Sequence, residues 1–271
     1  MNDPFVLKKD LLWLQSWMDQ NPSLCSGFST LIGGNQIGDL KGLNVAYHVG
    51  DDPKNVLNNR RYLANKLQMP LDQWVFCEQL HTTDIYKVTN SDLGAGVYDF
   101  KSGIPATDGL YTTESNIVLA TFYADCTPLY FYAPNHHLVG VAHAGWSGTV
   151  NGIMHKMLQA LKETEKIKPE DILVAIGPSI GRNVYQVDDR VINNVMKSKV
   201  LNVNDTYDDV GGGQYKFDAK LLNYKQALHE GIPTENILVS SYCTYTQRDL
   251  FYSHRRDTKT GRMLSFICLK D

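Results

Sequence analysis

IVLATFYADCTPLYFYAPNHHLVGVAHAGWSGT, residues 117–149, alternates three apolar runs with short polar breaks and closes on a glycine-containing turn. Residues 117–123 are rich in β-branched and aromatic side chains, which suit a packed, pleated surface. Residues 128–132 repeat the pattern, Pro134-Asn135 supplies a turn, and residues 138–142 form a third run. Each run is apolar on both faces, so each predicted strand needs cover on both sides. The third leads into His143-Ala144-Gly145-Trp146-Ser147-Gly148-Thr149, where Ser147 or Thr149 can cap a helix reaching about Glu165.

On the amino-terminal side, Leu11, Leu12, Leu14, Trp17 and Met18 fall at helical spacing, and Pro22 closes that segment. Gly33-Gly34, Gly38 and Gly42 punctuate a turn-rich stretch, with short strands expected around Phe28 and Val45-Ala46. Asp51 or Asp52 can cap a helix over residues 54–67, with Pro53 in its first turn and Met69-Pro70 ending it. Strands over 74–77 and 85–88 flank a bend at 81–84. On the carboxyl side a strand is expected over 172–176 and a helix over 219–229. Further strands are expected over 237–240 and 264–268, and the acidic, glycine-rich stretch 204–213 reads as a surface loop. Strands outnumber helices and no linker intervenes, so residues 1–271 read as a single α+β domain with mixed sheets covered by helices.

Composition sets the outer bounds. Apolar residues make up 43% and charged residues 20%, the profile of an ordinary globular chain. A net charge of −3 gives no field that would draw nucleic acid or an anionic membrane, so neither is an expected partner, and no protein partner is legible. The first twenty residues have no signal-peptide apolar core, and no run is long enough to span a bilayer. The five cysteines are odd in number and never spaced as CxxC, which fits a reducing, cytoplasmic setting.

Three apolar runs each lead to a potential metal ligand: His81, Cys126 and His143. Two imidazoles and a thiolate suit Zn²⁺, and three protein ligands leave a fourth position for water, whose pKa then falls toward neutrality. Taken singly, Cys126 also reads as a small buried hydrophobe and each histidine as hydrogen-bonded core. The turn at 143–149 offers Gly148 and Thr149 amides to an anion and Trp146 as a stacking surface, or is simply a strand-to-helix turn. Arg60-Arg61 and Arg255-Arg256 are pairs that can clamp phosphate or carboxylate, or lie in surface ion pairs. His136-His137 reads as an exposed turn and Cys77 as core.

Read together, several segments carry more than their spacing: GFST (27–30) with Gly33-Gly34, HVGDDPKNVLNNRR (48–61), QLH (79–81), ATDGL (106–110) and ADCTP (124–128). VAHAGWSGT (141–149), IGPSIG (176–181), YQV (185–187), FYSHRRD (251–257) and TGRM (260–263) continue in the same order. In these segments the chain resembles the laccase-domain family of YfiH- and YlmD-like proteins, over about nine-tenths of its length. The resemblance implies an α/β/β/α layered fold and a metal site at His81, Cys126 and His143, with zinc expected and copper an alternative. It implies phosphorolysis of adenosine, inosine, guanosine and S-methyl-5′-thioadenosine, and deamination of adenosine, so purine nucleosides and phosphate are the expected partners.

Under that reading Cys126, Asp125 and His143 are the expected catalytic residues, with Asp125 shuttling a proton and Glu78 a weaker candidate. Arg60, Arg61, Trp146, Gly148 and Thr149 are the expected substrate and phosphate contacts. The chain departs from many relatives at Ser147, where they carry Arg or Lys, and at Leu31, where they often carry Arg; both changes predict weaker phosphate binding. Relatives also suggest a peptidoglycan-precursor hydrolase in which Cys126 is the nucleophile and His143 the base. The family's copper-oxidase label fits less well. Multicopper sites need paired H-x-H segments, and the eight histidines here form none.

Overall fold

Val118–Tyr123 and Thr127–Ala133, the first two of the three central strands, lie in different sheets. The computed structural model describes residues 3–34, 40–198, 200 and 202–271, and Gly38 lies outside them. One six-stranded sheet runs Phe5–Lys8, Leu11–Leu14, Leu24–Ser29, Met263–Leu269, Val118–Tyr123, Trp74–Phe76. Its pairings are antiparallel except the last, which is parallel. The other runs Ile237–Val239, Leu173–Ile176, Thr127–Ala133, Leu138–Ala144, Gly109–Thr112, Ile85–Lys87, with parallel pairs at both edges.

The sheets meet face to face. Leu12, Phe28, Leu119 and Ile267 from the first share one core with Leu110, Tyr130, Val141 and Ala175 from the second. The outer face of the first sheet, at Trp74, Val118 and Phe266, is covered by Leu63, Ala64 and Leu67 of the Pro53–Leu67 helix. The outer face of the second, at Leu129, Ala142 and Ile176, is covered by Met157, Leu158 and Ala227. This is the expected α/β/β/α order in a single mixed α+β domain. It explains why the central strands are apolar on both faces: each fully buried Leu or Ile contributes roughly 1.5–3 kcal/mol.

The Pro53–Leu67 helix forms as its signals specify. The Asp52 carboxylate accepts from the Lys54 amide, Pro53 sits in the first turn, and Gln68 ends the helix in a left-handed conformation. Four other expectations need correction. The apolar run near the amino terminus makes Leu11–Leu14 a strand, and only Gln15–Gln20 is helical. Lys9 at φ 62° turns the chain back, and this hairpin fills the edge of the first sheet with Leu11, Leu12 and Leu14. The helix expected to reach Glu165 is broken: Trp146–Val150 ends, Gly152 takes φ 82°, and Ile153–Gln159 restarts and continues as a wider turn over Ala160–Thr164. Residues 204–213 are not a plain loop, because Tyr207–Gly211 pairs with Gln214–Phe217 in a small third sheet with Gln186–Asp188. Val45-Ala46 is buried without joining a strand.

Candidate metal centre and cleft

The chain passes between the two sheets at residues 77–84 and 124–126, and both crossings deliver a ligand to the same place. Cys126 lies in the tight connection between Val118–Tyr123 and Thr127–Ala133. His81 lies in the connection between Trp74–Phe76 and Ile85–Lys87, which the Gln79 side chain fastens to the Phe122 backbone at both its amide atoms. His143 is next to last in Leu138–Ala144, opposite Pro128. One ligand atom from each of the three lies within 4.8 Å of the others, and among the described residues no other such His, Cys, Asp and Glu group occurs.

Asp108, just ahead of Gly109–Thr112, orients two of the three. Its Oδ1 is 2.7 Å from His143 Nδ1, which leaves Nε2 toward Cys126 and His81. Its Oδ2 accepts from the Leu80 and Thr82 amides and the Thr82 hydroxyl, bracketing His81, whose φ of 59° is a conformation L-residues rarely hold. Gly145 supplies the space: a Cβ there would lie 2.5 Å from His81 Nδ1 and 3.3 Å from Cys126 Sγ. Its φ of −67° is ordinary, so the glycine serves clearance rather than conformation.

Electrostatics follow from this packing. Burial disfavours a charged His143, yet the Cys126 thiolate and the Asp108 carboxylate outweigh it and hold its pKa up at about 9. Burial favours neutral Asp108, but its bond to His143 holds it below the usual carboxylate range. Burial, with His143 alongside, lowers His81. Two nitrogens and a sulfur converging, with the carboxylate behind one imidazole, are the donors a borderline-soft divalent ion needs, so the residues fit a metal.

Two of the three, His81 and Cys126, border a cleft of about 510 Å³ walled by Trp146, Tyr185, His254 and Arg255, and His143 lies buried behind them. Trp146 and Tyr185 pack against Val187 and Phe217 of the small third sheet and Val191 of the Asp189–Val195 helix, which fixes the aromatic wall relative to the ligands.

The profile of the family described as "Multi-copper polyphenol oxidoreductase laccase" matches residues 25–270. The chain belongs to this laccase family. It is 46% identical over 256 residues, 94% of this chain and 93% of the relative, to a Geobacillus stearothermophilus protein named purine nucleoside phosphorylase YlmD. It is 42% identical to the Bacillus subtilis protein of the same name, over 99% of this chain and 98% of that one. The crystal structure of Bacillus licheniformis YfiH superposes with a TM-score of 0.96 at 41% identity, covering 99% of this chain and all of that one.

Within this laccase-family chain, several residues expected at the site lie elsewhere. Arg60 is 1% exposed: its Nε donates to the Val45 carbonyl and its Nη1 to those of Gly96 and Val97. Its guanidinium also lies over the Tyr47, Phe76 and Phe122 rings, so it braces the core and does not face the cleft. Burial pulls its pKa down to about 9, still charged at neutral pH. Arg61 borders a different hollow beside Tyr98 and Asp72. Thr149 spends its amide on the Gly145 carbonyl and accepts from Asn223 at its hydroxyl, and neither it nor Gly148 borders the cleft.

Asp125 does border the cleft, but as a brace. Its Oδ1 accepts from Thr244, and its Oδ2 accepts from Ser253 and the Arg255 amide, so three donors hold the carboxylate in place. Glu78 does not line the cleft. The residues missed from sequence are Asp108 and Tyr185, together with the clearance that Gly145 provides, whereas Arg255, singled out as one of a guanidinium pair, does border the cleft. Asp108 had a usable signal, a lone acid opening a strand in ATDGL.

Proposed function

We propose that the chain is a zinc-dependent purine nucleoside phosphorylase that also deaminates adenosine, acting on adenosine, inosine, guanosine and S-methyl-5′-thioadenosine. The observation that carries this reading is the convergence of His81, Cys126 and His143, the first two of them bordering a nucleoside-sized cleft of about 510 Å³ with Trp146 and Tyr185 as walls. The names of the Geobacillus and Bacillus relatives support the phosphorylase part.

A zinc ion held by these three residues would supply Lewis acidity at neutral pH. The chain's own groups do the rest. The Trp146 and Tyr185 rings hold the flat purine and shed water from it. Asp108 holds His143 at Nδ1, which would leave Nε2 free to help hold the ion. Phosphorolysis passes through an oxocarbenium-like state at the anomeric carbon, where phosphate attacks, so an anion must be held near the ribose. For deamination, His254 is the imidazole of the cleft outside the ligand set and the group placed to carry a proton. A copper oxidase is disfavoured, because the described residues supply one metal group rather than several.

One observation favours a second reading. Without an ion, Cys126, His143 and Asp108 stand in the order of nucleophile, base and orienting carboxylate, with His143 held near 9 by the thiolate and carboxylate after burial is overcome. That order suits a thiol hydrolase of the peptidoglycan-precursor type. Mass spectrometry of inosine and adenosine incubated with enzyme, with and without phosphate, separates the two. Phosphorolysis gives hypoxanthine and ribose 1-phosphate from inosine, and it stops on zinc chelation. Cys126→Ala is expected to lose bound zinc and turnover together. Full nucleoside turnover by the metal-free variant overturns the zinc reading, and hydrolysis that survives chelation favours the thiol one.

A further inference from the structure

Arg255-Arg256 is a guanidinium pair that the proposed chemistry leaves without a task, and the fold sends its members in opposite directions. Arg256 is spent internally: Nη1 donates to the Thr244 and Tyr245 carbonyls, Nη2 to that of Phe251, and Nε to Asp257. Arg255 is not. Its Nη1 donates to the Gln186 carbonyl and its guanidinium lies over the Tyr185 ring, 5.2 Å from the centroid. It forms no ion pair with a carboxylate among the described residues. Its Nε and Nη2 therefore keep one side of the planar fork open.

The place of that fork is specific. Arg255, Trp146 and Tyr185 border both the metal cleft and an adjoining recess of about 270 Å³. A second guanidinium, Arg190, lies over Trp146 at 5.0 Å and borders the same recess. Its nearest acid is Asp188, also in the recess wall, at 4.0 Å with both side chains mostly exposed, which is too loose to neutralise it. Two cations thus face one acid across a hollow that opens past the aromatic wall. The Arg255 backbone is held by Asp125, the residue before the ligand Cys126, so ligand set and fork are fixed to one loop.

We propose that this recess is an oxyanion seat in which Arg255, assisted by Arg190, binds a phosphate group next to the nucleoside. The group is either the free phosphate of phosphorolysis or a phosphate carried on the substrate's 5′ carbon. The proposal rests on the phosphorylase reading for its ligand and deepens it by placing the anion opposite the metal, across the aromatic wall. A planar fork meets two phosphate oxygens at once, which a lone ammonium cannot do.

Arg255→Gln is compared with the unaltered zinc-loaded enzyme in phosphate-dependent cleavage of inosine and in titration with inosine 5′-monophosphate. A KM for inorganic phosphate raised about tenfold or more, with nucleoside KM and zinc content unchanged, supports a seat for free phosphate. An unchanged phosphate KM with a comparable loss of nucleotide affinity supports the same seat for a substrate-borne phosphate. No change in either overturns the proposal. Arg190→Gln, on an exposed lip, is expected to shift the same quantity less and gives the reading should Arg255→Gln fail to fold. If the unaltered enzyme shows no phosphate-dependent cleavage, the phosphorylase reading falls, and the nucleotide titration still decides whether the seat exists.

Discussion

The surroundings of Arg60 and those of His81, Cys126 and His143 are both polar islands in an apolar fold, built in opposite ways. Around Arg60 the chain closes the shell itself: three main-chain carbonyls accept from the guanidinium and three aromatic rings flank it. Around the other group, acceptors face one another, and the one carboxylate stands behind His143 rather than between the ligands. The first island is answered by the chain itself at Nε and Nη1, with Nη2 alone left unpaired, while the second gathers acceptors that a cation would satisfy. What separates a brace from a binding site here is whether the backbone has already supplied the partner.

That contrast can be broken most forcefully at Arg60. Arg60→Ala strands three buried carbonyls and opens a cavity, so the unfolding free energy should fall by about 3–5 kcal/mol in urea titration. A variant as stable as the parent would mean that the cage is not structural. Asp108→Asn tests the other island. It keeps the shape but weakens control of the His143 tautomer, and zinc affinity measured against a competing chelator should fall about 10–100-fold. An unchanged affinity would remove Asp108 from the metal site.

The smallest expected effect lies between the two islands, at His48. Its ring sits against Phe100 and Phe122, and burial, with Arg262 and Arg60 nearby, lowers its pKa to about 4. An unfolded chain binds that proton at about 6.5, so on acidification from 6.5 to 4 the unfolded state is favoured. Stability should decline over that window and level off below it. His48→Gln should flatten the decline slightly, because the ring is partly open to solvent, and denaturant midpoints across the window would read the difference.

Mixed sheets covered by helices were legible because their signals are local, whereas the α/β/β/α layering and the choice of His81, Cys126 and His143 as one set came from the resemblance. Apolar runs on both faces demand two covering layers, and His81, Cys126 and His143 each stand where such a run ends. Asp52 and Pro53 mark the start of their helix in the same local way. The amino-terminal error arose because Leu11, Leu12, Leu14 and Trp17 satisfy a helical spacing and a strand followed by one short helix equally well. The positive φ at Lys9 and pairing with Leu24–Ser29 decide between them. The surroundings of Arg60 and Asp125 were hidden for a different reason: their partners come from distant segments, carbonyls at 96 and 97 for one and Thr244, Ser253 and Arg255 for the other. A charged residue looks the same in sequence whether solvent, substrate or its own backbone will answer it.

Met263–Leu269 lies between Leu24–Ser29 and Val118–Tyr123, in the middle of its sheet. During synthesis these residues emerge more than a hundred positions after the strand that leads to Cys126. Until they arrive, Val118–Tyr123 lacks a neighbour on one side and presents an unpaired apolar edge, the kind that invites aggregation. A metal held by His81, Cys126 and His143 would therefore be captured late, and a chain cut short before that strand would carry all three residues without the wall that holds them in register.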